Sequence, residues 1–410
     1  MKEREQPIRL PSPATLGRMW RESQRPDVIQ QSDVVTSMCN LEALKAEAGK
    51  IVNKLAVSIH KFGEGGYNQV FVIVFDDGSD IVARVNCSRA QNGFGSTREL
   101  YSLKSLQSEV ASEVATLRFL KEKTTILVPT STRLTWILIM RWECDIFSRK
   151  GQIVGQHVSR VAIRFSEEEQ ERFFKQVIEI EKQLLKFSFH SIGSLIDDPV
   201  TGECVVGPFA STPLLPFYAE GCKVGPWKSS EDMLKDYARI SYKLITNQMT
   251  LWKERRLLYK HFNGDGNNSP PISFFEPFYR LYMEGVQRLH FDKEFLFILH
   301  EMDMNDSIVA YDDPTRIVGV VDWQSTYALP LWVIVFMDSH ITGLCVSDEA
   351  EKRWTSLRAE VLQSAVTSFK DAAGKDCDIR RQIFSFLAYG HIFAASPEQH
   401  CETFLSAWKG

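Results

Sequence analysis

Hydrophobic positions along this chain follow two regimes. Residues 1 to about 55 alternate polar and helical stretches without a strand pattern, and read as an N-terminal arm or packing helix. From Val57 to Val85 the pattern turns to strands. Val70-Phe71-Val72-Ile73-Val74-Phe75 is a β-rich run, Asp76-Asp77-Gly78 is a tight turn, and Ile81-Val82-Ala83-Arg84-Val85 is the returning strand. A glycine-rich segment, Gly63-Glu64-Gly65-Gly66-Tyr67-Asn68, leads into this hairpin. Helical spacing begins at Leu106, with Val110, Val114, Leu117 and Leu120 on one stripe, and Trp136 to Met140 reads as a buried strand. Beyond about residue 144 helices dominate. Ser166 and Glu169 form a capping box ahead of Phe173, Val177, Ile180 and Leu184, and further helical stretches cover about 230–260, 275–290, 350–372 and 378–407. The pattern predicts an α+β protein: an arm over 1–55, a small β-rich part over 56–143, and a mostly helical part over 144–410.

Composition narrows the function classes. A chain of 410 residues, 44% hydrophobic and 24% charged, has the make-up of a folded protein large enough for two lobes. A net charge of −4 and the lack of a basic, aromatic-studded patch argue against nucleic acid as a partner. No run approaches the roughly 18 apolar residues that span a bilayer, so no membrane partner is expected. The N-terminus has no apolar core of a secretory signal. Eight scattered cysteines form no C-x-x-C pair, which argues against a thiolate zinc site and for reduced thiols in a cytoplasmic protein. Oligomeric state is not legible.

Candidate chemistry sits in four places. Glycines such as Gly63, Gly65 and Gly66 let backbone N–H groups approach phosphate oxygens, although no Gly-Lys-Ser/Thr follows to make a Walker loop. Arg84 closes the hairpin's second strand, where a cation can reach nucleotide phosphates and pair with an acid on the next helix; Glu113 fits best, with Glu109 one turn earlier as competitor. Asp322 follows the apolar strand Ile317 to Val321, and a buried carboxylate there would need a strong partner such as Mg²⁺. The polar loop His300-Glu301-Met302-Asp303-Met304-Asn305-Asp306-Ser307 supplies Asp303 as candidate base, with Asn305, Asp306 and Ser307 competing as a second metal ligand.

Taken together, these segments resemble the fungal aminoglycoside-phosphotransferase-like family, the small-molecule branch of the protein-kinase-like fold. Gly65-Gly66-Tyr67-Asn68-Gln69-Val70-Phe71 is similar to its nucleotide loop, and Ile81 to Val85 to its "hAR" strand. Ser112-Glu113-Val114-Ala115-Thr116-Leu117 is similar to its S-E-V-A-T helix. Ile192-Gly193-Ser194-Leu195 with Val206-Gly207-Pro208, Ile317 to Gln324, and Ala328-Leu329-Pro330-Leu331-Trp332 resemble three later motifs. The resemblance implies a two-lobed fold and an ATP site bounded by Gly63, Gly65, Gly66, Asn68, Arg84, Glu113 and a hinge starting at Met140. It implies Mg²⁺ on Asp322, with Asn305 or Ser307, and His300 and Asp303 in the catalytic loop. The implied reaction is phosphoryl transfer to a hydroxyl of a small molecule, as in fungal secondary metabolism. One motif departs: the family loop H-x-D-x-x-x-x-N places an acid two residues after His300, where this chain has Met302, with Asp303 one place on. The alternative reading is therefore a kinase-fold protein that has lost phosphotransfer and binds, or converts, a small molecule in another way.

Overall fold

The computed structural model describes residues 18, 21–22, 24, 26–37, 39–64, 68–86, 103–134, 137–141, 165–210, 224–247, 297–301, 308–310, 315–336 and 347–366. They form an α+β protein of helices and antiparallel sheets. The chain divides into two compact units: Met1–Gly93 with Glu113–Phe173 and Asn305–Trp323, and Phe94–Ser112 with Phe174–Met304 and Gln324–Gly410.

The first unit opens with α1 (Pro26–Ser37) and α2 (Leu41–Val52). Asn40 caps α2 by accepting from the Ala43 N–H at 3.0 Å, and Asn53 ends it in the left-handed conformation. Strands β1 (Ala56–Glu64), β2 (Asn68–Phe75) and β3 (Asp80–Asn86) follow as an antiparallel meander. The predicted turn joins β2 to β3, with Gly78 at φ 78°, where a side chain would be strained. After helix α3 (Leu103–Lys123, which begins in the second unit), strands β4 (Thr130–Leu134) and β5 (Ile137–Arg141) complete a five-stranded sheet of order β1-β2-β3-β5-β4.

Strand alternation sorts this sheet's side chains. Phe71, Ile73 and Phe75 from β2 and Ile81, Ala83 and Val85 from β3 share one face and build a core with Leu44 and Ala48 of α2. Arg84, one residue out of phase, lies on the opposite face with Val82. Helix α2 thus packs on this face of the sheet.

Asp80, the first residue of β3, is half-buried, and burial pushes its carboxyl above the usual range. A carboxyl raised on folding contributes most favourably below its unfolded value of about 3.9, and that contribution is lost as pH rises through the folded value. Asp80→Asn is expected to raise the melting temperature at neutral pH, with the difference from wild type vanishing as the pH falls toward about 3. Thermal unfolding at several pH values checks this.

In the second unit, α4 (Glu167–Leu184, which begins in the first unit) has the reciprocal cap read from its sequence. The Ser166 N–H donates to Glu169 Oε2 at 2.7 Å and the Glu169 N–H to Ser166 Oγ at 3.3 Å. The predicted stripe Phe173, Val177, Ile180 and Leu184 is buried. Strands β6 (Ser188–Phe189), β7 (Gly193–Asp197) and β8 (Cys204–Gly207), helix α5 (Ser230–Asn247) and strand β9 (Phe297–Glu301) follow. The short hairpin β10 (Ile308–Ala310) and β11 (Ile317–Val320) belongs to the first unit. Strand β12 (Thr326–Pro330) then completes a second antiparallel sheet of order β6-β9-β12-β7-β8. The helical pattern of this half did not reveal that sheet, whose strands run only two to five residues. The two glycines of the Ile192–Leu195 and Val206–Pro208 motifs have a steric reason. A Cβ on Gly193 would strike the Gly207 carbonyl oxygen, and one on Gly207 would strike the Ile196 side chain.

Past β12, helices α6 (Leu331–Phe336) and α7 (Asp348–Ala365) finish the described chain. Trp332 donates its indole N–H to Ser230 Oγ at 3.1 Å, and Phe174 lies 4.6 Å from Trp354, ring centre to ring centre. Arg358 Nε donates to both Glu181 carboxylate oxygens, at 3.1 and 2.8 Å. The predicted helices over 275–290 and 378–407 lie outside the described residues. No described helix is long and apolar enough to cross a membrane.

Candidate functional site

Arg84 is the centre of the candidate site. Its position on β3 turns it away from the α2 core, and it is paired across the sheet with Val70 of β2 and Leu138 of β5. Its guanidinium forks, with one arm to Glu113 of α3 and the other to Asp322 Oδ1 at 2.7 Å. Between the two acids weighed from sequence, the guanidinium meets Glu113. Helical spacing puts Glu109 and Glu113 on one face four residues apart, so sequence alone could not separate them.

The two arms differ in kind. Glu113 is only 1% exposed, so its carboxylate depends on a close cation. Asp322 is 50% exposed, so that half of the fork is worth at most about 1 kcal/mol. Asp322 was expected to be buried; instead it is exposed, and its partner here is Arg84. The reason is local. After β11 ends at Val320 the chain turns sharply, and Asp322 takes φ 59°, a left-handed conformation that aspartate tolerates better than most residues. Trp323, fully buried, fixes the turn by donating its indole N–H to the Val320 carbonyl at 3.0 Å. The Val320 N–H donates to the Leu127 carbonyl at 3.0 Å, tying β11 to the segment after α3.

The other candidate residues divide by whether they are described. Gly63 sits in β1 opposite Val70, and Asn68 begins β2 opposite Asn86; Gly65 and Gly66 lie outside the described residues. Met140 is in β5, opposite Val82 of β3 and Ser131 of β4. His300 is in β9, opposite Tyr327 of β12 in the second unit. Asp303, Asn305, Asp306 and Ser307 lie outside the described residues.

A polar cluster that sequence reasoning missed adjoins Gly63 and Asn68. The β1–β2 register slips between Lys61 and Gly63, which signifies a bulge. Two strand residues three apart normally face opposite sides, but the extra residue returns Glu64 to the side of Lys61, and Lys61 Nζ lies 2.7 Å from Glu64 Oε2. Gln69, directly across from Glu64, donates to the same oxygen at 3.0 Å. From α1, Ser32 Oγ donates to Glu64 Oε2 at 2.5 Å and accepts from Lys61. Thr36 Oγ1 accepts from Lys61 at 3.1 Å and lies 3.2 Å from Gln69 Oε1. Burial pushes the Glu64 carboxyl up, but the hydrogen bonds from Lys61, Ser32 and Gln69 outweigh it and hold it below the usual carboxylate range. The only sequence signal was Glu64 itself, a charge set between glycines.

Among the described residues no group of three or more His, Cys, Asp or Glu side chains could hold a metal ion. Among the described residues, Asp322 offers an accessible carboxylate beside Arg84. That fits Mg²⁺, which retains waters and takes one or two carboxylates together with phosphate oxygens, better than a metal needing a full protein cage.

No family model matches the chain. No curated protein matches it. Among solved structures it is similar to a protein from Thermobifida fusca YX-ER1 assigned as a fructosamine-3-kinase, at 11% identity and TM-score 0.42 over 89% of this chain and 98% of that one. It is similar to a thermostable mutant of aminoglycoside phosphotransferase APH(4)-Ia, in ternary complex with AMP-PNP and hygromycin B, at 12% identity and TM-score 0.40 over 90% and 99%. It is also similar to macrolide 2′-phosphotransferase MphH from Brachybacterium faecium, at 15% identity and TM-score 0.33 over 89% and 97%. Likeness at this level fixes neither activity nor substrate.

Proposed function

We propose that this chain is an ATP- and Mg²⁺-dependent phosphotransferase of the protein-kinase-like class, acting on a hydroxyl of a small molecule. The observation that carries the reading is the forked guanidinium of Arg84, anchored on buried Glu113 and reaching exposed Asp322. A cation fixed from behind by a buried acid is held ready for phosphate, and a half-exposed carboxylate beside it gives up its ion pair cheaply to a divalent cation. In this proposal Gly63, Gly65, Gly66 and Asn68 would approach the phosphates, Met140 would begin the hinge, and Asp322 would hold Mg²⁺ with Asn305 or Ser307. Bound there, Mg²⁺ would supply neutralisation of charge on the transferred phosphoryl group. Asp303, with His300, orients the acceptor hydroxyl and takes its proton.

Hydroxyl-bearing secondary metabolites are the first acceptors to screen, given the resemblance to the fungal branch. The spread cysteines support a cytoplasmic setting, and residues 56–143 and 144–410 are the proposed lobes.

The spacing of Met302 and Asp303 after His300 favours a second reading, in which the nucleotide site persists and transfer has been lost. Loss of a positioned general base costs about 10²–10⁴ in rate, so the two readings separate on turnover, not on binding.

Calorimetric titration of ATP, with and without Mg²⁺, tests the shared part. Asp322→Asn is the control, since asparagine keeps the left-handed turn and loses the charge. Mg²⁺-dependent binding in the wild type, weakened at least about tenfold in Asp322→Asn, is the expected result. No binding under either condition sinks both readings.

A further inference from the structure

Helix α1 precedes every residue assigned to the nucleotide site, yet two of its side chains grip both arms of the hairpin that carries Gly63 and Asn68. Ser32 is 1% exposed and Gln69 fully buried, so their groups are committed to this contact and not to solvent. Ser32 reaches Glu64, the last residue of β1, and Lys61; Thr36 reaches Lys61 and the neighbourhood of Gln69, the second residue of β2. Gln69 Nε2 also donates to the Ser32 carbonyl oxygen at 3.2 Å. The helix therefore contributes two hydroxyls and one main-chain carbonyl to a cluster whose strand members all lie within a few residues of Gly63 and Asn68.

The bulge in β1 explains why the cluster needs the helix. A bulged strand loses a regular ladder position and bends, so the end of β1 is held less regularly than a continuous ladder would hold it. Lys61, Glu64 and Gln69 are polar groups on a part-buried face, and without partners each would carry a desolvation cost. Lys61 and Gln69 already meet Glu64 across the hairpin, and Ser32 and Thr36 complete the set of partners. The outward side of α1 is different in kind: Arg21 and Asp33 pair at 2.6 Å, with side chains 50% and 49% exposed.

We propose that α1 is a clamp that sets the position of the β1 and β2 arms through Ser32 and Thr36, so that nucleotide affinity depends on residues of the N-terminal helix that need not touch the nucleotide. The inference rests on the nucleotide-site reading above for its effect on affinity, while the clamp itself stands on the hydrogen bonds alone. Ser32 and Thr36 are positioning residues in this scheme. Any partner or modification that draws α1 away would lower nucleotide affinity without altering Arg84, Glu113 or Asp322.

The experiment has two arms on the full chain. In the first, hydrogen–deuterium exchange is followed at residues 60–64 and 68–72 in wild type, Ser32→Ala, Thr36→Val, Thr36→Ser and Asp33→Ala. Exchange there is expected to quicken in Ser32→Ala and Thr36→Val, to return toward wild type in Thr36→Ser, which restores the hydroxyl, and to stay unchanged in Asp33→Ala. In the second, Mg²⁺-dependent ATP affinity is measured on the same proteins, each first shown by thermal unfolding to be folded at the assay temperature. Ser32→Ala should weaken it roughly tenfold, the equivalent of about one hydrogen bond, with Thr36→Ser close to wild type. Unchanged exchange in Ser32→Ala and Thr36→Val overturns the clamp, as does an equal change in Asp33→Ala, which would mark a general effect of helix stability. Quickened exchange with unchanged affinity overturns the link to the nucleotide. A wild-type protein that binds no ATP overturns the reading above and the affinity half of this inference with it, and the exchange arm alone then decides the clamp.

Discussion

Arg84→Ala will be among the most damaging single substitutions in the first unit, with an expected loss of about 3–5 kcal/mol in unfolding free energy. The cost comes from Glu113, not from Asp322. Removing the guanidinium strips a carboxylate that is 1% exposed of its close cation, whereas the half-exposed Asp322 exchanges its partner for water. Glu113→Gln in the Arg84→Ala background should recover a large part of the loss, because the charge that needed compensation is gone. Denaturant unfolding of the two single variants and the double variant gives the coupling between them. Arg84→Lys separates geometry from charge. An ammonium is a compact point charge and cannot present two arms in a fixed fork, so the lysine variant should retain much of the stability and, under the proposed function, lose affinity for Mg²⁺–ATP. Equal losses of stability in Arg84→Ala and Asp322→Asn would contradict the unequal weighting of the two arms.

Trp227→Ala is the second large effect, expected at about 3–5 kcal/mol. Trp227 is fully buried, and its indole N–H donates to Asp236 Oδ2 at 2.9 Å. Its ring lies 5.9 Å from Phe209 and 5.6 Å from Tyr237, and Phe209 in turn stacks on Tyr327 of β12 at 4.1 Å. Its backbone pairs with Ile192 in both directions, at 2.8 and 3.0 Å, just before β7 begins. The alanine variant loses aromatic packing and leaves a cavity, while the backbone pairing can persist. Trp227→Phe keeps much of the volume and loses the hydrogen bond, so it should cost less than half as much. Chemical denaturation with a probe in the second unit discriminates the two. A loss under about 1 kcal/mol for Trp227→Ala would mean that this cluster collapses freely around the gap.

What the sequence made legible follows the range of the interactions. The β2–β3 hairpin was readable because an alternating apolar pattern and an Asp-Asp-Gly turn are local signals, and the Ser166–Glu169 cap was readable for the same reason. The Arg84–Glu113 pair was within reach because each lies on a well-marked element, though the choice over Glu109 needed the structure. The exposure of Asp322 was not readable: a strand ending in an acid looks alike whether the next backbone angle is extended or left-handed. The bulge at Lys61 was hidden too, since nothing in Lys-Phe-Gly-Glu announces an extra residue until the partner strand is in place. Strands β6 to β9 and β12 are too short for a period of two to stand out, and apart from the β7–β8 hairpin their pairings join segments far apart in the chain. Ser32 and Thr36 looked like ordinary polar positions of an N-terminal helix, because their partners lie about 30 residues away.

The fork at Arg84 also imposes an order in time. Its first partner, Glu113, lies 29 residues downstream, and its second, Asp322, lies 238 residues downstream. On a ribosome adding roughly 5–20 residues per second, that interval is on the order of 10–50 s. During it the meander and Glu113 can emerge and pair, while the third stretch of the first unit, Asn305–Trp323, has yet to be synthesised. The nascent chain thus carries Arg84 with Glu113 in reach but Asp322 not yet made through about half of its synthesis. The last contact of the site is also among the last to become available.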